Sequence, residues 1–142
     1  MAFMDSLKFK LWDDVSAVTK IVERWQPGKC KDEKDYERSL YKYLHEALSE
    51  IQVTKQYAQG RIRADLLIGK SVMVELKNNL NTTGKYQRLV GQLEGYSDWT
   101  GRVIVLLVGE TDTNIRKQLN EFVAKRNDQG FQIADRITVF QK

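Results

Sequence analysis

Apolar side chains recur at Met4, Leu7, Leu11, Val15, Val18, Val22 and Trp25, a spacing that lines one face of a helix with 3.6 residues per turn. The pattern predicts an amphipathic helix over residues 4–25, stopped by Pro27-Gly28. A second helix is expected over residues 32–49, with Tyr36, Leu40, Tyr43, Leu44 and Ala47 as its buried stripe. The period then falls to two, and strands are expected at about 51–58, 61–68 and 72–78. A polar loop over residues 78–83 leads into a helix over residues 83–99, with Thr82 or Thr83 as N-cap. Residues 102–108 (RVIVLLV) form a continuous apolar run of the kind buried inside a sheet. A helix over 114–127 and a strand over 137–141 complete the chain.

The second and third strands carry the chemistry. Ile62, Ala64, Leu66 and Ile68 alternate with Arg61, Arg63, Asp65 and Leu67, and Val72, Val74 and Leu76 alternate with Met73, Glu75 and Lys77. Each run therefore has an apolar face and a charged face. If Gly69, Lys70 and Ser71 form the loop, Ile68 opposes Val72, Leu66 opposes Val74, Ala64 opposes Leu76, Asp65 opposes Glu75 and Arg63 opposes Lys77. A two-residue loop would set Asp65 against Val74. Because a one-residue slip sends every side chain to the wrong face, the apolar pairing selects the register that brings the two carboxylates together.

Facing carboxylates repel unless a cation lies between them. Asp65 and Glu75, with the Leu76 backbone carbonyl and waters, form an oxygen-only donor set suited to Mg²⁺ or Mn²⁺. A lysine two residues after the second acid shares its strand face, so Lys77 can orient a water and meet developing charge on a phosphodiester. Arg63 opposite Lys77 makes sense when a phosphate visits both. The alternative is that these charges are the solvated face of an ordinary hairpin. The apolar character of both strands favours central positions, where charges are kept chiefly for a site.

With 142 residues, 42% hydrophobic and 30% charged, the chain suits a single domain with an ordinary core. A net charge of +4 and a pI near 9.1 permit nucleic acid as a partner without requiring it. Cys30 is the only cysteine, which excludes an internal disulfide and a cysteine-built metal cluster. His45 is the only histidine, which removes multi-histidine metal sites and Ser/His catalysis from contention. Lying between Leu44 and Leu48, His45 is expected to be partly buried and structural. The start MAFMDSLKFK lacks a signal-peptide run, and nowhere do about 18 apolar residues follow one another. An intracellular, cytoplasmic protein with no membrane partner is expected.

Asp65 followed by Glu75-Leu76-Lys77 resembles the core motif of the PD-(D/E)xK nuclease superfamily, which includes resolvase-like, Mrr-like and RecB-like nucleases, with Ala64 where the name has proline. The resemblance spans residues 33–108. It implies an α/β fold with a restriction-endonuclease-like α-β-β-β-α-β core, in which helices flank a mixed central sheet. Residues 1–26 would then be an N-terminal helical extension and residues 109–142 a C-terminal helix and strand. It also implies Mg²⁺- or Mn²⁺-dependent cleavage of DNA, as an endonuclease of the resolvase, repair or defence kind. Glu37, beside the Leu40 and Leu44 stripe, matches the helix glutamate that supports the metal in many members. The stretch from Gln92 to Tyr96 is similar to the QxxxY motif of RecB-like nucleases. On a helix advancing about 100° per residue those two lie roughly 40° apart, with Gln87 on the opposite flank. Arg61, Arg63, Lys85, Arg88 and Tyr96 are the expected nucleic-acid contacts. Gly84, Arg88, Gly91 and Gly95 would form the back of that helix, where a homodimer partner could approach. A non-cleaving module of the same fold that binds nucleic acid or serves assembly, and an RNA-cleaving enzyme, are the alternatives.

Overall fold

The structure, a computed structural model, describes residues 15–96, 99, 101–128 and 136–142. Residues 15–24 are helical (α1); the expected start of this helix at residue 4 lies outside the described residues. There follow α2 (Glu33–Ala47), β1 (Val53–Gln59), β2 (Ile62–Ile68), β3 (Val72–Asn78), α3 (Thr83–Gly95), β4 (Arg102–Val108), α4 (Thr113–Asp128) and β5 (Ile137–Gln141). The strands form one mixed sheet in the order β1-β2-β3-β4-β5. The first three run antiparallel, and β3, β4 and β5 run parallel. Hairpins suffice for the antiparallel part, whereas each parallel step needs a crossover; α3 and α4 supply them.

Local chemistry sets the helix starts. Asp32 caps α2 by accepting the Asp35 N–H at 2.9 Å, Thr82 caps α3 by accepting from Lys85 at 3.2 Å, and Asp112 accepts from Ile115 at 3.0 Å at the start of α4. On α2 the buried pair is Leu40 and Leu44, with Leu48 at the cap position also buried. Ala47, expected in the stripe, is exposed because Leu48 takes the inward position. His45 is exposed too, stacked on Tyr41 with ring centroids 5.7 Å apart; it faces away from the Leu40 and Leu44 side.

Helices cover both faces of the sheet. Val18, Val22 and Trp25 of the α1 region and Leu40 and Leu44 of α2 pack on Leu66, Ile68, Val74, Leu76, Ile104 and Leu106. Leu89 and Leu93 of α3 and Ile115 and Leu119 of α4 pack on Leu67, Met73, Val103, Val105 and Leu107. The part of the expected charged face that holds Leu67, Met73 and Glu75 is therefore buried under α3, while Arg61 and Arg63 stay exposed. Both faces being covered also explains why β4 is apolar at every position from Val103 to Val108.

The turn Gly69-Lys70-Ser71 connects β2 to β3, with Gly69 at a φ of +60°, and the register follows from it: Ile68 pairs with Val72, Leu67 with Met73 and Leu66 with Val74. The ladder ends there. The expected pairs Asp65 with Glu75, Ala64 with Leu76 and Arg63 with Lys77 are not part of it, because β2 turns over at Asp65. Ala64 joins the α3 layer and Leu66 the α2 layer, although strict alternation would put them together. Among the glycines of α3, Gly84 and Gly91 have nothing within 4 Å of an added Cβ, and Gly95 approaches the Arg61 carbonyl. Among the described residues no helix is long and apolar enough to cross a membrane.

Candidate active site

Asp65 lies where β2 is released on both sides. Toward β1 the pairing jumps from Lys55↔Leu66 to Tyr57↔Ala64, leaving out Gln56 and Asp65. Toward β3 it stops at Leu66↔Val74. Opening a ladder strands backbone N–H groups, and buried donors must find partners. Here an acid supplies one: the Leu76 N–H donates to Asp65 Oδ2 at 2.8 Å. The Asp65 carboxylate thus replaces a missing carbonyl of its own strand. In an extended strand the N–H and C=O of one residue point to the same side, so the Leu76 carbonyl is directed toward β2 as well.

Glu75 is only 1% exposed. Its Oε1 lies 2.8 Å from the Tyr96 hydroxyl, whose single proton is shared between this oxygen and the Arg63 carbonyl. Its Oε2 is buried with no hydrogen-bond partner, and Lys77 Nζ stands 3.7 Å away as an ion pair. A buried, half-satisfied carboxylate beside another is costly to ionise. Burial above all, and then the charge of Asp65, push Glu75 from 4.5 up to about 7, against the pull of Tyr96, Lys77 and the Asp65 N–H. Asp65 rises from 3.8 to about 6, chiefly through burial. The Leu76 N–H and Lys77 counter that rise, while Glu37 and Glu33 add to it. The repulsion between the pair falls on Glu75 because Asp65 ionises first, while Glu75 is still neutral. Burial, followed by the charge of Glu75, drives the Tyr96 hydroxyl far above its ordinary range, so it stays a donor.

A cleft of about 540 Å³ opens beside the pair, lined by Glu33, Lys77, Asn78, Leu80, Lys85, Arg88 and Gln92. Lys77 joins the two regions, reaching Glu75 on one side and lining the cleft on the other. Lys85 Nζ donates to the Asn79 carbonyl at 3.0 Å, which holds it at the cleft wall. Gln92 presents a buried Oε1 that has no partner among the described residues, whereas Gln87 is exposed and not part of the cleft. The exit of β3 is pinned by Asn79, at a φ of +54°, whose Oδ1 accepts the Glu110 N–H at 2.8 Å. Gly109, at a φ of +69°, leaves room for that side chain, which any Cβ there would strike.

The sequence-expected residues divide accordingly. Asp65, Glu75, Leu76 and Lys77 converge. Glu37 on α2 is half-buried, its charge is felt by Asp65, and its Oε1 accepts from Gln56 Nε2 at 2.7 Å. Gln92, Lys85 and Arg88 share the cleft, so Arg88 belongs to the site side of α3 and not to its glycine-lined back. Arg61, in the turn before β2, and Arg63, on β2, are exposed, and the open ladder keeps Arg63 from lying across from Lys77. Tyr96 is 3% exposed, so it holds Glu75 from inside instead of meeting solvent.

Sequence reasoning passed over Glu33 and Gln56. Glu33 lines the cleft and accepts the Asn78 N–H at 3.3 Å. Its position four residues before Glu37, on the same helix face, was the available signal. A glutamine in a left-handed conformation, as Gln56 is with φ +50°, has no signature in the sequence.

Among the described residues no three Asp, Glu, His or Cys side chains form a ready metal cage. Mg²⁺ keeps several waters and is bound through one or two carboxylates more often than by an all-protein shell. The oxygen-only donors and the unpartnered Glu75 Oε2 fit such an ion at the Asp65–Glu75 pair. No family model matches this chain, and neither does any curated protein or solved structure.

Proposed function

We propose that this chain is a Mg²⁺- or Mn²⁺-dependent phosphodiesterase acting on DNA, an endonuclease of the PD-(D/E)xK kind. The observation that carries the reading is the Asp65–Glu75 pair, with Asp65 braced by the Leu76 N–H and the buried Glu75 left with an unpartnered oxygen beside Lys77. The order α2-β1-β2-β3-α3-β4 supports it, since it is the order of a restriction-endonuclease-like core.

Asp65, Glu75 and the Leu76 carbonyl would hold the ion, with Glu37 reaching it from α2. When bound, the ion supplies Lewis-acid polarisation of a phosphoryl oxygen and a water of lowered pKa. The remaining work belongs to the chain. Tyr96 fixes the Glu75 carboxylate by donating to it, so that its other oxygen is free for a ligand. Lys77, between carboxylate and cleft, is placed to orient an attacking water and to meet charge growing on the phosphate. Lys85 and Arg88 make the cleft wall cationic, which suits the flanking phosphates of a nucleic-acid strand. Gln92 adds an amide to the same wall.

The competing reading is a module that binds nucleic acid without cleaving it. A binding surface gains nothing from burying Glu75 beside a second acid, and the cost of Glu75 is explained when a cation offsets it. Supercoiled plasmid, duplex and branched DNA oligonucleotides and single-stranded RNA, incubated with Mg²⁺, Mn²⁺ or EDTA, test the choice. Metal-dependent breaks in DNA that vanish in Asp65→Ala and Glu75→Ala support the nuclease. DNA binding without breaks in either metal would favour the non-cleaving module, and breaks in RNA alone would move the substrate class.

A further inference from the structure

Gln56 sits in β1 directly across from Asp65, at the one position where the β1–β2 ladder is interrupted while the register on either side is unchanged. It holds a φ of +50°. A left-handed residue other than glycine costs roughly 1–2 kcal/mol, and persists only where its surroundings demand it. The kink is the only one in the five strands at a residue other than glycine, among the described residues. From there Nε2 donates to Glu37 Oε1 at 2.7 Å, joining β1 to α2.

Glu37, with Glu33 one turn earlier, is a helix acid whose charge reaches Asp65. A free glutamate on an exposed helix turn samples several rotamers, and an amide donor fixed by the sheet selects one. The same kink withdraws β1 from Asp65, so that no β1 pairing competes for that stretch of β2.

We infer that Gln56 is a positioning residue of the metal site, a bracket on β1 that orients Glu37 toward the ion held by Asp65 and Glu75. The inference rests on the metal-site reading above. Partners of this outer kind commonly change metal affinity by about 10- to 100-fold when removed.

Gln56→Gly separates the backbone from the amide, because glycine adopts φ +50° without strain and lacks the donor. Calorimetric titration with Mn²⁺ alone, at pH 8 and without DNA, is run on the wild type, Gln56→Gly, Glu37→Gln, their double variant and Glu75→Gln, with melting in EDTA alongside. Gln56→Gly is expected to melt no lower than the wild type and to bind Mn²⁺ about tenfold more weakly. Acting through Glu37, it should weaken binding no further in the Glu37→Gln background. Wild-type affinity in Gln56→Gly, or full additivity with Glu37→Gln, overturns the bracket while leaving the metal site standing, provided Glu75→Gln has lost binding. Absence of Mn²⁺ binding by the wild type overturns both.

Discussion

Replacing Glu75 with glutamine keeps the side chain's length and its acceptor for the Tyr96 hydroxyl while removing the charge. Lifting Glu75 from 4.5 in the unfolded chain to about 7 in the fold corresponds to about 3 kcal/mol of penalty on the ionised form. Because folding raises this acid's pKa, the penalty is fully present above pH 7. It fades as the pH falls through 7 and is gone below about 4.5, where folded and unfolded chains are both protonated. Glutamine resembles the protonated form at every pH. The variant should therefore exceed the wild type by about 2–3 kcal/mol at pH 8 in EDTA, a rise in Tm of roughly 6–12 °C for a chain of this size. The gap should close by pH 4.

Mn²⁺ should act in the opposite direction. A ligand at a hundred times its Kd stabilises by about 2.7 kcal/mol, so saturating Mn²⁺ should bring the wild type up to the variant, which gains little. Urea melts at pH 4, 6 and 8, each with EDTA or Mn²⁺, give all the required values. A Glu75→Gln protein less stable than the wild type at pH 8 in EDTA would refute the reasoning: it would mean that Lys77 and Tyr96 already satisfy the carboxylate, leaving nothing for a cation to offset.

Mn²⁺ affinity should weaken on the order of tenfold between pH 8 and pH 6, since the ion must displace protons from groups with pKa values of about 7 and about 6; a flat profile by calorimetry would point to other ligands. Lys77→Ala should lower the cleavage rate by about 10²-fold or more, as removal of a charge-stabilising donor does, while Mn²⁺ affinity stays within a few-fold of the wild type. Equal losses of rate and affinity would make Lys77 a support for Glu75 alone. Gln92→Ala should slow cleavage and Gln87→Ala should leave it unchanged, because only Gln92 lines the cleft; the reverse ranking would put the substrate on the other flank of α3.

The element order was readable because each segment carries an unmixed period: three or four in Leu40, Leu44 and Leu48, and two in Leu66, Ile68, Val72 and Val74. Register followed from the same residues, which can face each other in only one alignment across the Gly69 turn. The acid pair was legible for a related reason, being charged at positions where neighbours are apolar. What stayed hidden depends on tertiary covering. Nothing local says that α3 lies over Leu67, Met73 and Glu75, so a buried face read as a charged one. For the same reason Tyr96 read as a surface contact. His45 erred the other way, since a neighbouring leucine on a helix need not share its face.

The least legible feature is the turnover of β2 at Asp65, and it is also the one on which the proposed chemistry depends. Had the ladder run on past Leu66↔Val74, a β2 carbonyl would satisfy the Leu76 N–H, and the Asp65 carboxylate would lack the donor that holds it against β3. Breaking the ladder on both sides of a single residue forfeits backbone hydrogen bonds worth roughly 0.5–1.5 kcal/mol each and adds the strain at Gln56. Such departures from local rules concentrate at functional sites, where the rest of the fold must carry their cost. Here the surrounding layers do so. Leu40, Leu44, Leu66, Leu76, Leu89 and Leu106 are buried completely or nearly so on the two faces around the break. A sheet packed that tightly can tolerate an opened ladder, and in this chain the opening is where two acids, a lysine and a cationic cleft meet.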